Sequence, residues 1–115
     1  MMVDDEPDIC VTLKEVLEGN GFKVTTFIDP IMALENFKSS LYDLLILDIM
    51  IPGVDGIEVC RRIKNDSNNR TIIIAVSGSA ERENDIIRAG ADAFMVKPLD
   101  LERLQSEARR LLRVL

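Results

Sequence analysis

Two hydrophobic periods alternate along the chain and predict strands and helices in turn. Short continuous apolar runs bounded by turn residues read as strands buried on both faces. The clearest is Leu44-Leu45-Ile46-Leu47, which ends on Asp48; a second, containing Ile72-Ile73-Ile74, spans residues 71–76. Met1-Met2-Val3 opens the chain in the same way, residues 22–27 have the β-branched content of a strand, and residues 93–96 make a short fifth run. Between these runs the apolar spacing lengthens to three and four. Residues 8–19 carry Ile9, Leu13, Val16 and Leu17 on one stripe until Gly19-Asn20-Gly21 stops them. Asp29 caps a second helix with Pro30 at its first position and Ala33, Leu34 and Phe37 facing inward. Pro52-Gly53-Val54-Asp55-Gly56 has the chemistry of a turn and leads into a helix over residues 57–64, followed by a polar loop over 65–70. Ser77-Gly78-Ser79 is a loop of small residues, residues 81–89 form a helix stopped by Gly90, and Asp100 caps a last helix carrying Leu101, Leu104, Ala108, Leu111, Leu112 and Leu115.

Five strand–helix units in alternation imply an α/β fold: a doubly wound parallel sheet with helices on both faces. Right-handed crossovers leave few topologies, chiefly the flavodoxin-like five-stranded order 2-1-3-4-5. In that order the first and third strands are neighbours at the point where the winding reverses. Asp4 and Asp5, which follow the first strand, then share one crevice with Asp48, which ends the third. Like charges that close raise each other's pKa, so the three acids call for a cation or a proton.

Composition narrows the class. The 115 residues amount to one domain, residues 1–115, and 47 % hydrophobic content suffices for a single core. A net charge of -6 argues against nucleic acid or an anionic membrane as a partner of this domain. No apolar stretch is long enough for a membrane span, and no basic region leads into an apolar one at the start, so the expected compartment is the cytoplasm. Cys10 and Cys60 lie in helical patterns and read as small core or half-buried thiols, not as a disulfide. With no histidine, the chain has no imidazole base or metal ligand of its own.

Three more candidates fall on the same sheet edge. Ser77 follows the fourth strand, Lys97 follows the fifth and precedes Pro98, and Met50 stands two residues past Asp48, where its backbone carbonyl can point back to the site. Each has an ordinary explanation on its own. Asp4 or Asp5 could cap the first helix, Ser77 could be a loop residue, Lys97 a surface cation and Phe94 simple packing; Asp55-Gly56 is best read as turn chemistry. Together they form a set.

That set carries a resemblance. Val3-Asp4-Asp5-Glu6-Pro7, Asp48-Ile49-Met50-Ile51-Pro52-Gly53-Val54-Asp55-Gly56, Val76-Ser77-Gly78 and Val96-Lys97-Pro98 resemble, in order and spacing, the four signature segments of the receiver domain of two-component response regulators. The likeness covers nearly the whole chain and extends to the single-domain chemotaxis-type regulators. It implies that Asp48 is the phosphoacceptor, and that Mg²⁺, for which Mn²⁺ can substitute, is held by Asp4, Asp5, Asp48 and the Met50 carbonyl. It implies that Ser77 and Lys97 bind phosphoryl oxygens, that Phe94 is a switch aromatic rotating inward, and that the Lys97–Pro98 bond is cis. The implied partners are a sensor histidine kinase or histidine phosphotransfer protein, and an output domain or protein on the face of the fourth helix, fifth strand and fifth helix. A phosphorylation-linked homodimer is a further implied state. In this reading the chain promotes its own phosphorylation and dephosphorylation and is not a conventional enzyme.

The competing readings are weaker. A haloacid-dehalogenase-type phosphatase also forms an aspartyl phosphate but needs an acid two residues on, where this chain has Met50. A flavin or nucleotide binder needs a glycine-rich loop after the first strand, where Asp4-Asp5-Glu6-Pro7 would repel phosphate. Met50 and Gly78 offer no acid or amide to orient an attacking water, so self-dephosphorylation is expected to be slow. The family's first strand is usually longer than Met1-Met2-Val3, an expectation that leaves room for residues upstream. The chain ends within its last helix, in keeping with a stand-alone regulator or with a receiver of a larger protein.

Overall fold

A computed structural model describes residues 1–38, 41–68 and 70–112. The elements run β1 (Met2–Val3), α1 (Pro7–Glu18), β2 (Thr26–Phe27), α2 (Pro30–Asn36), β3 (Leu44–Asp48), α3 (Gly56–Asp66), β4 (Ile72–Ser77), α4 (Glu83–Arg88), β5 (Ala93–Val96) and α5 (Leu101–Leu112). All strand pairs are parallel and the sheet order is β2-β1-β3-β4-β5, which is the order expected from the pattern.

The period of two along each strand sorts its side chains between two cores. Val3, Leu45, Leu47, Ile73 and Ala75 face one side with Ala33 of α2, Val59, Cys60 and Ile63 of α3 and Ile86 of α4. Met2, Leu44, Ile46, Ile74 and Val76 face the other with Cys10, Leu13 and Leu17 of α1 and Leu104 and Ala108 of α5. Because every residue of β3 is buried, the run of four apolar residues has no polar alternation. Cys10 and Cys60 are free thiols on opposite faces of this sheet, so the sheet itself separates them.

Several elements are shorter or shifted relative to their sequence pattern. β2 pairs only with β1 at the sheet edge, and β1 is two residues long, so only Thr26 and Phe27 of the 22–27 run find ladder partners. Ser77 does not follow β4 but closes it, paired with Val96 of β5. α4 begins at Glu83, because the Ser79 hydroxyl takes the Glu81 amide into a turn and Arg82 makes no side-chain cap. α3 runs on to Asp66, into the stretch expected as loop. Asp29 and Asp100 cap α2 and α5 as expected, Asp29 accepting from the Ile31 amide and Asp100 from the Arg103 amide. Neither Asp4 nor Asp5 caps α1; the N-cap position is Glu6. Leu115 lies outside the described residues. Among them no helix is long and apolar enough to cross a membrane.

One close approach positions the site. Gly56 begins α3 directly against the backbone of Ile49, the residue after Asp48, and a Cβ there would lie 2.6 Å from the Ile49 Cα. Asp55 caps the same helix through the Ile57 and Glu58 amides. The segment from Asp48 to α3 is thus packed down on the sheet.

Candidate functional site

Register brings the acids together. Val3 pairs with Leu47 across β1 and β3, so Asp4 and Asp48 leave adjacent strands at the same level. Both are buried, 3 % and 6 % exposed, whereas Asp5 and Glu6 stand at the exposed rim. Two buried carboxylates side by side need a counter-charge, and the structure supplies it from β5. The Lys97 ammonium lies 3.0 Å from Asp4 Oδ2 and 2.9 Å from Asp48 Oδ2. Burial alone would lower the Lys97 pKa; the hydrogen bonds and charges of Asp48 and Asp4 outweigh it and hold the group above its ordinary value.

The remaining carboxylate oxygens take backbone donors. The Glu6 amide donates to Asp4 Oδ1 and the Met50 amide to Asp48 Oδ1, each at 2.9 Å. The contact between Met50 and Asp48 therefore runs through the Met50 N–H, and Met50 itself is 56 % exposed. Ser77 is 1 % exposed and its hydroxyl accepts from the Ser79 amide at 3.1 Å, while its carbonyl accepts from the Lys97 amide at 2.8 Å. Ser77 and Lys97 are thus adjacent across the β4–β5 edge. The Lys97–Pro98 bond is cis, as the resemblance implied. Phe94 is half-buried in β5, paired with Ala75, and packs against the core shared by α2, α3 and α4.

The acid cluster differs in membership from the one read in the sequence. Carboxylate oxygens of Asp4, Asp5 and Glu6 lie within 4.8 Å of one another. Asp48 is joined to Asp4 through Lys97. Glu6, the third consecutive acid of Asp4-Asp5-Glu6, joins this cluster although it is not among the sequence-predicted ligands; its Oε1 lies 3.6 Å from Lys97 Nζ.

A five-stranded doubly wound sheet with acids at its switch point and a lysine across from them defines a receiver-type α/β domain. The model of the response regulator receiver domain family matches residues 1–109, and the chain belongs to that family. It is 34 % identical over 113 residues to the response regulator ArlR of Staphylococcus aureus (strain MW2), covering 98 % of this chain and 52 % of that protein. The chain thus spans about half the length of the curated relatives it matches. Among solved structures it is similar to the receiver domain of NtrX from Brucella abortus, at 30 % identity and a TM-score of 0.87 over 99 % of this chain and 98 % of that one. It is similar also to the BeF3-activated DrrB receiver domain, at 30 % identity and a TM-score of 0.85 over 97 % and 94 % of the two chains.

Proposed function

We propose that this receiver domain is a cytoplasmic phosphorelay switch. Asp48 takes a phosphoryl group from a partner histidine kinase or histidine phosphotransfer protein, and the change alters partner binding. The observation that carries the proposal is the carboxyl edge of the sheet. There a nearly buried Asp48 shares one ammonium with Asp4, beside two further carboxylates at the rim.

The transfer is a displacement at phosphorus. An Asp48 oxygen forms the new P–O bond, the donor's bond to phosphorus breaks, and the leaving group keeps the electron pair. The Met50 N–H on Oδ1 and Lys97 on Oδ2 fix the carboxylate plane before the donor arrives. Both reactants are negative, so charge must be neutralised. The all-oxygen set of Asp4, Asp5 and Glu6, with Asp48 beside it, fits a hard cation. Asp4, Asp5, Asp48 and the Met50 carbonyl would hold Mg²⁺ or Mn²⁺, which supplies neutralisation of the developing charge.

Once Asp48 is modified, Lys97 has phosphoryl oxygens to bind in place of the carboxylate. Ser77 already accepts the Ser79 amide and so keeps its own hydrogen for donation to a phosphoryl oxygen. A shift of Ser77 and Lys97 toward Asp48 moves the ends of β4 and β5, and Phe94 follows by turning inward. The face of α4, β5 and α5, where Ile87 and Val96 are 43 % and 44 % exposed, is the surface that an output domain, a partner protein or a second copy then reads. The domain is not a conventional enzyme in this scheme, because the substrate is its own side chain. A phosphatase would need an acid where the exposed Met50 stands.

The test is intact mass after incubation with a small acyl-phosphate donor and Mg²⁺. One added phosphoryl group on the wild type and none on Asp48→Asn is expected. An unmodified wild type, or equal modification of the variant, would overturn the proposal.

A further inference from the structure

Glu6 occupies an unusual position. It is the N-cap residue of α1, in extended conformation, yet its side chain makes no capping hydrogen bond. Its backbone amide holds Asp4 Oδ1, and its carboxylate reaches out to Lys97 Nζ at 3.6 Å, with the Glu6 side chain 60 % exposed. An ammonium has three donors. Asp4 and Asp48 take two of those on Lys97, and Glu6 is the third carboxylate within ion-pair distance.

Building on the assignment of Asp48 as phosphoacceptor, we propose that Glu6 is a positioning residue that competes with the phosphoryl group for the Lys97 ammonium. It thereby sets how tightly the modified state is held. When a phosphoryl group sits on Asp48, Lys97 must turn from carboxylate to phosphoryl oxygens. Asp4 and Asp5 are then engaged with the cation, and Glu6 remains as the carboxylate that draws the ammonium toward the rim. Its pull is that of an exposed charge pair, so its effect is a few-fold one and is sensitive to salt.

The experiment measures binding of beryllofluoride, a tetrahedral phosphoryl mimic, to the full chain at saturating Mg²⁺. Saturation removes any effect of Glu6 on cation affinity, and a separate Mg²⁺ titration without fluoride measures that effect. Glu6→Gln is expected to bind the mimic about threefold more tightly than wild type at low salt, and the gain is expected to vanish in about 1 M salt, where the screening length is about 3 Å. Glu6→Asp should fall between the two. Repeating the substitution in a Lys97→Gln background separates the routes, because an effect transmitted through Lys97 disappears there. If Lys97→Gln binds too weakly to measure, Lys97→Arg serves, and the gain from Glu6→Gln should change in size.

Equal binding by wild type and Glu6→Gln would make Glu6 a solvated surface carboxylate and overturn the inference. Weaker binding by Glu6→Gln, or a gain that persists without Lys97, would overturn it too. Failure of the wild type to bind the mimic at all would instead remove the phosphoacceptor assignment itself.

Discussion

Lys97→Met removes the only ammonium recorded between Asp4 and Asp48 among the described residues and keeps an unbranched apolar stem. After the substitution each carboxylate retains one backbone N–H, from Glu6 and from Met50, and no counter-charge. Removing one partner of a buried ion pair costs about 3–5 kcal/mol. The Lys97 side chain is 19 % exposed, so water screens part of the interaction and the low end, about 3 kcal/mol, applies. For a domain of this size that is a fall in Tm of about 10 °C. Urea unfolding followed by far-ultraviolet circular dichroism, in chelator and then with excess Mg²⁺, reads both the loss and its rescue. Adding Asp48→Asn to Lys97→Met should recover about half of the loss, because one of the two stranded charges is gone. Mg²⁺ should stabilise Lys97→Met more than wild type, since in the wild type the cation must compete with an ammonium already in place. A loss below about 1 kcal/mol, the level of an exposed pair, would refute a buried counter-charge role for Lys97. Equal gains from Mg²⁺ in the two proteins would refute it as well.

The raised pKa of Lys97 makes wild-type stability depend on alkaline pH. Its contribution is fully present below the ordinary lysine value and is lost as pH rises toward the folded value, so from about pH 10.5 upward the wild type should lose stability more steeply than Lys97→Met in matched urea melts. Gly56→Ala drives a Cβ to 2.6 Å from the Ile49 Cα, which should cost about 1–3 kcal/mol by urea unfolding and slow phosphoryl uptake by displacing the neighbour of Asp48. Asp92→Ala strands the Lys64 ammonium, whose side chain is 8 % exposed and whose Nζ lies 2.5 Å from Asp92 Oδ2, and frees the Ile73 amide; a loss of about 3 kcal/mol is expected, against a far smaller one for Glu107→Gln, whose partner Arg110 is 64 % exposed. Burial pushes the Cys60 thiol up to about 11 and raises that of Cys10, so both should resist iodoacetamide in the native protein at neutral pH and react in urea.

The strands that could be read best in the sequence are the ones the sheet buries on both sides. Leu44–Asp48 and the 71–76 run announce themselves because a doubly covered strand needs apolar residues at every position. β2 is shorter than the 22–27 run because β-branched content reports fit to a sheet, while pairing depends on a partner strand that here is two residues long. α4 is shorter than its pattern because Glu81 and Arg82 suit a helix intrinsically, while the competing Ser79 turn exists only in the folded hydrogen bonds. The site residues were legible as strand-end residues, and the register of β1 on β3 places Asp4 beside Asp48 as the topology required. Their partnership was not legible. Which carboxylates share Lys97, and that Glu6 joins them, depends on side-chain reach across 93 residues of sequence separation, which no local pattern encodes.

On the proposed function, Asp48 is the group that becomes covalently modified. Borohydride reduction of freshly phosphorylated protein, followed by peptide mass mapping, tests it at residue resolution, because an acyl phosphate is reduced to the alcohol while free carboxylates are not. Homoserine is expected at position 48, with Asp4, Asp5 and Glu6 unchanged. Reduction at any of those three acids, with position 48 still aspartate, would contradict it.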